Sequence, residues 1–104
     1  GLTELYNLAF LYERSGQLEA CQALLDQMAD LYPQEYEIRI QQAYICYRRE
    51  NDRPLGQRNY AKVQEFYDQA VELCQSAGEN PAENADFVQM EQILADLRQK
   101  GWLS

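Results

Sequence analysis

Apolar residues recur at three- and four-residue steps through nearly the whole 104-residue chain, and Gly or Pro stands near most places where the rhythm stops. That period marks one face of an α-helix, and no stretch alternates with the period of two that a half-buried strand needs. Leu5, Leu8, Ala9 and Tyr12 predict a first helix over 2–14. Ser15-Gly16 ends it, because glycine accepts the left-handed backbone that closes many helices. Leu18, Cys21, Leu25 and Met28 predict a second helix running to about Tyr32, where Pro33 removes the next amide donor and turns the chain. A third follows over about 34–50, with Tyr36, Ile40, Ala43, Tyr44 and Tyr47 on one side and Ile38, Ile45 and Cys46 on the other.

The segment 51–58 holds Asn, Asp, Pro and Gly within a few residues, the composition of a loop. Tyr60, Val63, Tyr67, Ala70, Val71 and Cys74 form the fourth stripe, closed by Ser76-Ala77-Gly78. Asn80-Pro81-Ala82-Glu83 reads as a helix start, with Asn80 as the cap, Pro81 at the first helical position and Glu83 able to reach back. The fifth stripe is Phe87, Met90, Ile93, Leu94 and Leu97, over about 81–100. Gly101 stops it, and a Schellman ending would fold Trp102 back onto Leu97. The expected fold is all-α, an antiparallel stack of helix pairs in one domain spanning 1–104.

Spacing between the helices adds more than any one of them. Leu5, Leu8-Ala9, Tyr12, Gly16, Cys21, Leu25, Met28-Ala29 and Pro33 follow the order of a tetratricopeptide (TPR) repeat, and the first unit, about 2–35, resembles one closely. Small residues such as Ala9 and Cys21 let paired helices approach closely, and larger neighbours fill the gap. Ala43 repeats the slot of Ala9 at the repeat distance of about 34 residues. Asn59 to Val63, with Phe66-Tyr67, Ala70-Val71 and Leu73, resembles the second helix of another unit, about 36–77. That unit departs from the pattern: Arg39 and Gln42 stand at apolar places, the connection is about two helical turns longer than usual, and no proline closes it. The fifth helix resembles the capping helix that covers the end of a repeat array.

A narrower likeness lies in Leu31-Tyr32-Pro33 with Tyr36, Arg58-Asn59-Tyr60, Phe66-Tyr67 and Leu97 to Leu103. These are similar to the C-terminal TPR regions of bacterial eukaryotic-like serine/threonine protein kinases. The likeness implies a parent with a kinase domain elsewhere. The present residues hold no Gly-rich loop, H-R-D or D-F-G and cannot themselves transfer phosphate. The chain opens Gly1-Leu2 in place of Met, as expected of a segment cut from a longer protein.

The TPR resemblance implies a scaffold whose first helices line a concave groove for a peptide or partner helix. On the matched register that groove holds Thr3, Tyr6, Phe10 and Glu13, then Glu37, Ile40, Tyr44 and Arg48. Tyr6, Phe10 and Tyr44 are the preferred anchors, since aromatic side chains give large contact area at small entropic cost. Chaperone-binding members clamp a terminal carboxylate with Lys and Asn, where this chain has Tyr6 and Phe10, so that ligand class is disfavoured. In the alternative, the fifth helix, a neighbouring repeat or a second copy of the chain covers the stripe, and the segment is a structural end of an array or a self-association element.

Charge and composition narrow the remaining classes. Seventeen acidic against nine basic side chains leave a net −8, which repels nucleic acid and anionic lipid. With no histidine, His-based acid/base catalysis, Ser-His or Cys-His nucleophile pairs and His metal sites are excluded. Neither acidic stretch, 26–37 or 79–86, has calcium-loop spacing, and Asp68 with Glu72 reads as solvated helix surface. No cofactor and no metal is expected. Cys21, Cys46 and Cys74 are odd in number and lack C-x-x-C, so buried reduced thiols and a cytoplasmic setting are expected, with no membrane span. Residues 48–62 carry Arg48, Arg49, Arg53, Arg58 and Lys62 against Glu50 and Asp52, a local +3. That basic loop, with Arg49, Arg53, Arg58 and Lys62 as its candidates, would suit an acidic partner or phosphopeptide unless its charges are merely solvated or paired.

Overall fold

A computed structural model describes all residues from Gly1 to Ser104. Five α-helices follow in order: α1 (Leu2–Arg14), α2 (Leu18–Leu31), α3 (Tyr36–Asn51), α4 (Ala61–Ser76) and α5 (Ala85–Gln99), with 3-10 turns at Leu55–Gln57 and Pro81–Glu83. Each helix packs on the next in sequence, and α5 also touches α3. The chain is an all-α stack with no strand.

The α1/α2 pair closes on its smallest side chains. Ala9, Cys21 and Ala29 are buried, and the Cys21 thiol donates to the Ala9 carbonyl at 3.3 Å, so the two backbones meet with no large side chain between them. Leu25 and Met28 fill the space on either side. α1 stops at a Schellman motif, with Gly16 at φ 76° and the Gln17 amide donating to the Tyr12 carbonyl at 2.9 Å.

α3 faces two cores. Ile38 and Ile45 join the cluster built on α1 and α2, while Ile40, Ala43 and Cys46 join a second one built on Tyr60, Val63, Ala70 and Cys74 of the α4 region and Phe87, Met90, Leu94 and Leu97 of α5. A helix apolar on most of its circumference must be sandwiched, which explains the broad distribution of isoleucines along it. The polar residues that break the repeat pattern bond to one another and to α2. Gln42 is buried, its amide donates to Asp26 at 2.8 Å, and its carbonyl oxygen accepts from Arg39 at 3.1 Å.

The inserted connection is held by its own polar groups. Arg58 donates to the Arg53 and Asn51 carbonyls at 2.8 and 2.9 Å, Glu50 accepts from the Asn59 amide at 2.8 Å, and the buried Tyr60 hydroxyl donates to Asn51 at 2.7 Å. α3 also runs to Asn51, so the first residue assigned to the loop is helical.

The fifth helix starts later than the Asn80-Pro81 signature predicts. Asn80 caps only the 3-10 turn, accepting from the Ala82 amide at 3.0 Å, and Glu83 stays in solvent. Asn84 is the α5 cap, accepting from the Asp86 and Phe87 amides at 2.9 and 3.4 Å. Its side-chain amide also donates to Glu37 of α3 at 3.0 Å, a tertiary contact that Asn80 does not make. At the other end Gly101 has φ 76° and the Trp102 amide donates to the Leu97 carbonyl at 2.9 Å. Trp102 thus folds back on Leu97 as the Schellman ending predicts, and its ring stacks on Tyr60 with centroids 6.3 Å apart and planes within 8°.

Candidate functional site

Two contacts fix the relative direction of the odd-numbered helices. Glu13, near the end of α1, pairs with Arg48, near the end of α3, at 3.7 Å, and Glu37 at the start of α3 meets Asn84 at the start of α5. α1, α3 and α5 therefore run parallel, and a groove of about 280 Å³ lies between them. Ile40 and Met90, both buried, form its floor, with Tyr6, Phe10 and Tyr44 around them. Phe10 is 54% exposed, a large apolar ring held at the surface.

Of the eight residues singled out by the repeat register, Tyr6, Phe10, Glu13, Ile40 and Tyr44 line this groove. Thr3 is exposed outside it, Glu37 bonds to Asn84 beside it, and Arg48 pairs with Glu13. Ile40 is 1% exposed and can present little surface to a partner. Asp86 and Gln89 of the α5 wall, Met90 of the floor and Gln41 of α3 have no counterpart among those eight. Met90 does lie in the apolar stripe of the fifth helix, but a stripe alone does not separate floor from core.

The groove is polar along its length in a consistent sense. Arg14 lies over the Phe10 ring at 5.6 Å and Arg48 over the Tyr44 ring at 5.9 Å, both toward the helix C-termini. Glu35, Glu37 and Asp86 stand at the N-terminal ends of α3 and α5, the placement that helix dipoles favour. Partial burial pushes the Glu37 carboxyl above its ordinary value; Asp86 and Glu35 add to the push and the Asn84 amide opposes it. The Tyr6 hydroxyl oxygen is buried without a hydrogen-bond partner. Its loss of solvent, with Glu35 and Glu37 nearby, raises its pKa well above the usual phenol value.

The basic residues of the connection lie elsewhere. Arg49, Arg53 and Lys62 line a cleft of about 650 Å³ between α2, α3 and α4, together with Glu50 and Glu65. Arg49 donates to Gln22 at 2.6 Å and Arg53 pairs with Glu50 at 3.1 Å. Arg58 bonds the loop carbonyls and lies 5.9 Å from the Trp102 ring centroid. Of the four candidates only Lys62, exposed on the cleft wall, has neither a hydrogen bond nor an ion pair.

All three cysteines are buried and free, and burial raises each thiol, Cys21 to about 11. No group of three or more His, Cys, Asp or Glu side chains is placed to hold a metal ion, and no helix is long and apolar enough to cross a membrane. Compared with known proteins, the chain matches no family model, no curated protein and no solved structure.

Proposed function

We propose that the chain is a non-catalytic protein-interaction module of the TPR type, and that the α1/α3/α5 groove receives a peptide segment of its partner. The observation that carries this reading is the groove itself: an apolar floor with Tyr6, Phe10 and Tyr44 around it, rimmed by charge. Its volume of about 280 Å³ is smaller than the roughly 300–1,000 Å³ of pockets that enclose whole small ligands. It suits a few anchoring side chains of a longer chain, and parallel helices present them with a continuous track. The repeat spacing around Ala9, Gly16, Cys21 and Ala43 supports the TPR assignment.

Panning a displayed random-peptide library on the chain tests the reading. Peptides recovered should lose binding by about tenfold or more when Phe10→Ala or Tyr44→Ala removes an aromatic anchor. Recovered peptides indifferent to both substitutions place the interaction elsewhere and overturn it.

A second reading rests on a different face. Leu8 and Leu11, three residues apart on α1, are 40% and 61% exposed, and Leu31 at the end of α2 is 67% exposed. A neighbouring helix pair or a second copy would cover them. Sedimentation of the parent chain beside Leu8→Glu/Leu11→Glu tests this: an assembly that the variant dissolves favours it, and a monomer at all concentrations rejects self-association. The likeness to kinase C-terminal regions extends the interaction reading to a regulatory segment, which predicts altered phosphorylation when this region is deleted from such a parent.

A further inference from the structure

We propose that the groove's occupant sets a basic side chain against Glu37 and Asp86 and apolar side chains over Phe10 and Tyr44, an assignment that rests on the groove being a peptide site. The charge around the groove is unbalanced in one place. The ion pairs of the molecule are Gly1 with Glu4, Arg48 with Glu13, Arg53 with Glu50 and Lys100 with Asp96. None reaches Glu35, Glu37 or Asp86, so the acidic end carries carboxylates with no cation of the chain beside them. At the opposite end Glu13 already has Arg48, and Arg14 lies over Phe10. A ligand of opposite polarity is thereby oriented, its cation at the starts of α3 and α5.

The carboxylates at the acidic end differ in what they can still accept. One Glu37 oxygen takes the Asn84 amide, the Glu37 carboxyl lies within reach of Asp86, and Asp86 is exposed on the groove wall. Like charges side by side in a partly buried place repel, and a cation between them relieves the repulsion. A metal ion does not fit this place, because no three acidic groups converge on one point. An ammonium or guanidinium, which donates several hydrogen bonds over a wider span, does fit it. The apolar floor beside the carboxylates asks for adjoining aliphatic or aromatic side chains on the same segment.

Three fluorescein-labelled dodecapeptides with the same Leu and Phe positions, filled in between with Lys, Gln or Glu, are titrated against the chain by anisotropy. The Lys peptide is expected to bind about tenfold tighter than the Gln peptide, and the Glu peptide weakest. Glu37→Gln/Asp86→Asn should erase the Lys preference over Gln. Glu19→Gln/Asp30→Asn, which removes as much charge from α2 away from the groove, should leave the preference intact. Equal Lys and Gln affinities, both lost in Phe10→Ala, overturn the basic-ligand assignment and leave the groove reading standing. A preference that survives Glu37→Gln/Asp86→Asn, or that Glu19→Gln/Asp30→Asn also erases, overturns the assignment as well. No binding by any peptide, or binding indifferent to Phe10→Ala, overturns the groove reading and the assignment with it.

Discussion

The Cys21 thiol rests on the Ala9 carbonyl at 3.3 Å, which leaves α1 and α2 no room for a larger side chain at either position. Ala9→Leu is expected to destabilise the chain by about 1–3 kcal/mol, because added methylenes force the helices apart. Urea unfolding followed by circular dichroism reads this as a lower midpoint. An unchanged midpoint would show that the pair is looser than its geometry indicates.

Two tyrosine hydroxyls make opposite predictions. That of Tyr6 is buried without a partner, whereas that of Tyr60 donates to Asn51 at 2.7 Å. Tyr6→Phe should leave stability unchanged or raise it by about 1 kcal/mol, and Tyr60→Phe should lower it by about 1 kcal/mol. The two variants measured side by side test the contrast, and equal losses would contradict it.

Glu37 sets a pH dependence whose sign follows from its raised pKa. A carboxyl that holds its proton more tightly in the folded chain makes stability fall as pH rises through the interval just above the ordinary 4.5. The deficit persists at neutral pH. Glu37→Gln should therefore be more stable than the parent near neutrality, with the difference shrinking in acid. A variant less stable than the parent near neutrality would mean that the Asn84 contact outweighs the burial of charge.

Trp102 holds the inserted connection against the end of α5 through its stack on Tyr60 and its contact with Arg58. Trp102→Ala should speed amide hydrogen exchange in residues 52–60 and cost about 1 kcal/mol, the range of an aromatic pair with part of its buried area. Exchange in α1 and α2 should not change. Uniform acceleration throughout the chain would indicate a global effect in place of a local clasp.

The buried thiols give a direct measure of integrity. With Cys21 raised to about 11 and Cys46 and Cys74 also raised, a thiolate-directed reagent near neutral pH should label none of them quickly in the folded chain and all three in urea. Rapid labelling of any one without denaturant would locate a region that opens independently.

The five helices and their order were legible in the residues because period, glycine stops and prolines all act locally. The close pairing at Ala9 and Cys21 was legible for a related reason: only small side chains permit it. The start of α5 was not, since the Asn80-Pro81 signature caps only a 3-10 turn and the helix begins at Asn84, whose side chain bonds to Glu37, far away in sequence. Gln42 looked like a defect in the pattern because its partner Asp26 lies on another helix. At the groove, the register brought out Tyr6, Phe10 and Tyr44, whereas Asp86 and Gln89 join them only through the packing of α5 on α3.

The double-sided α3 has a consequence for how the chain can come apart. Ile38 and Ile45 serve one core and Ile40 and Ala43 the other, so neither half retains a complete interior once the chain is divided. A linear array of modules can fray from one end, module by module. Here the middle rod is common property, and loss of either flank strips a row of isoleucine or alanine contacts from the survivor, which ties the two halves into a single melting event.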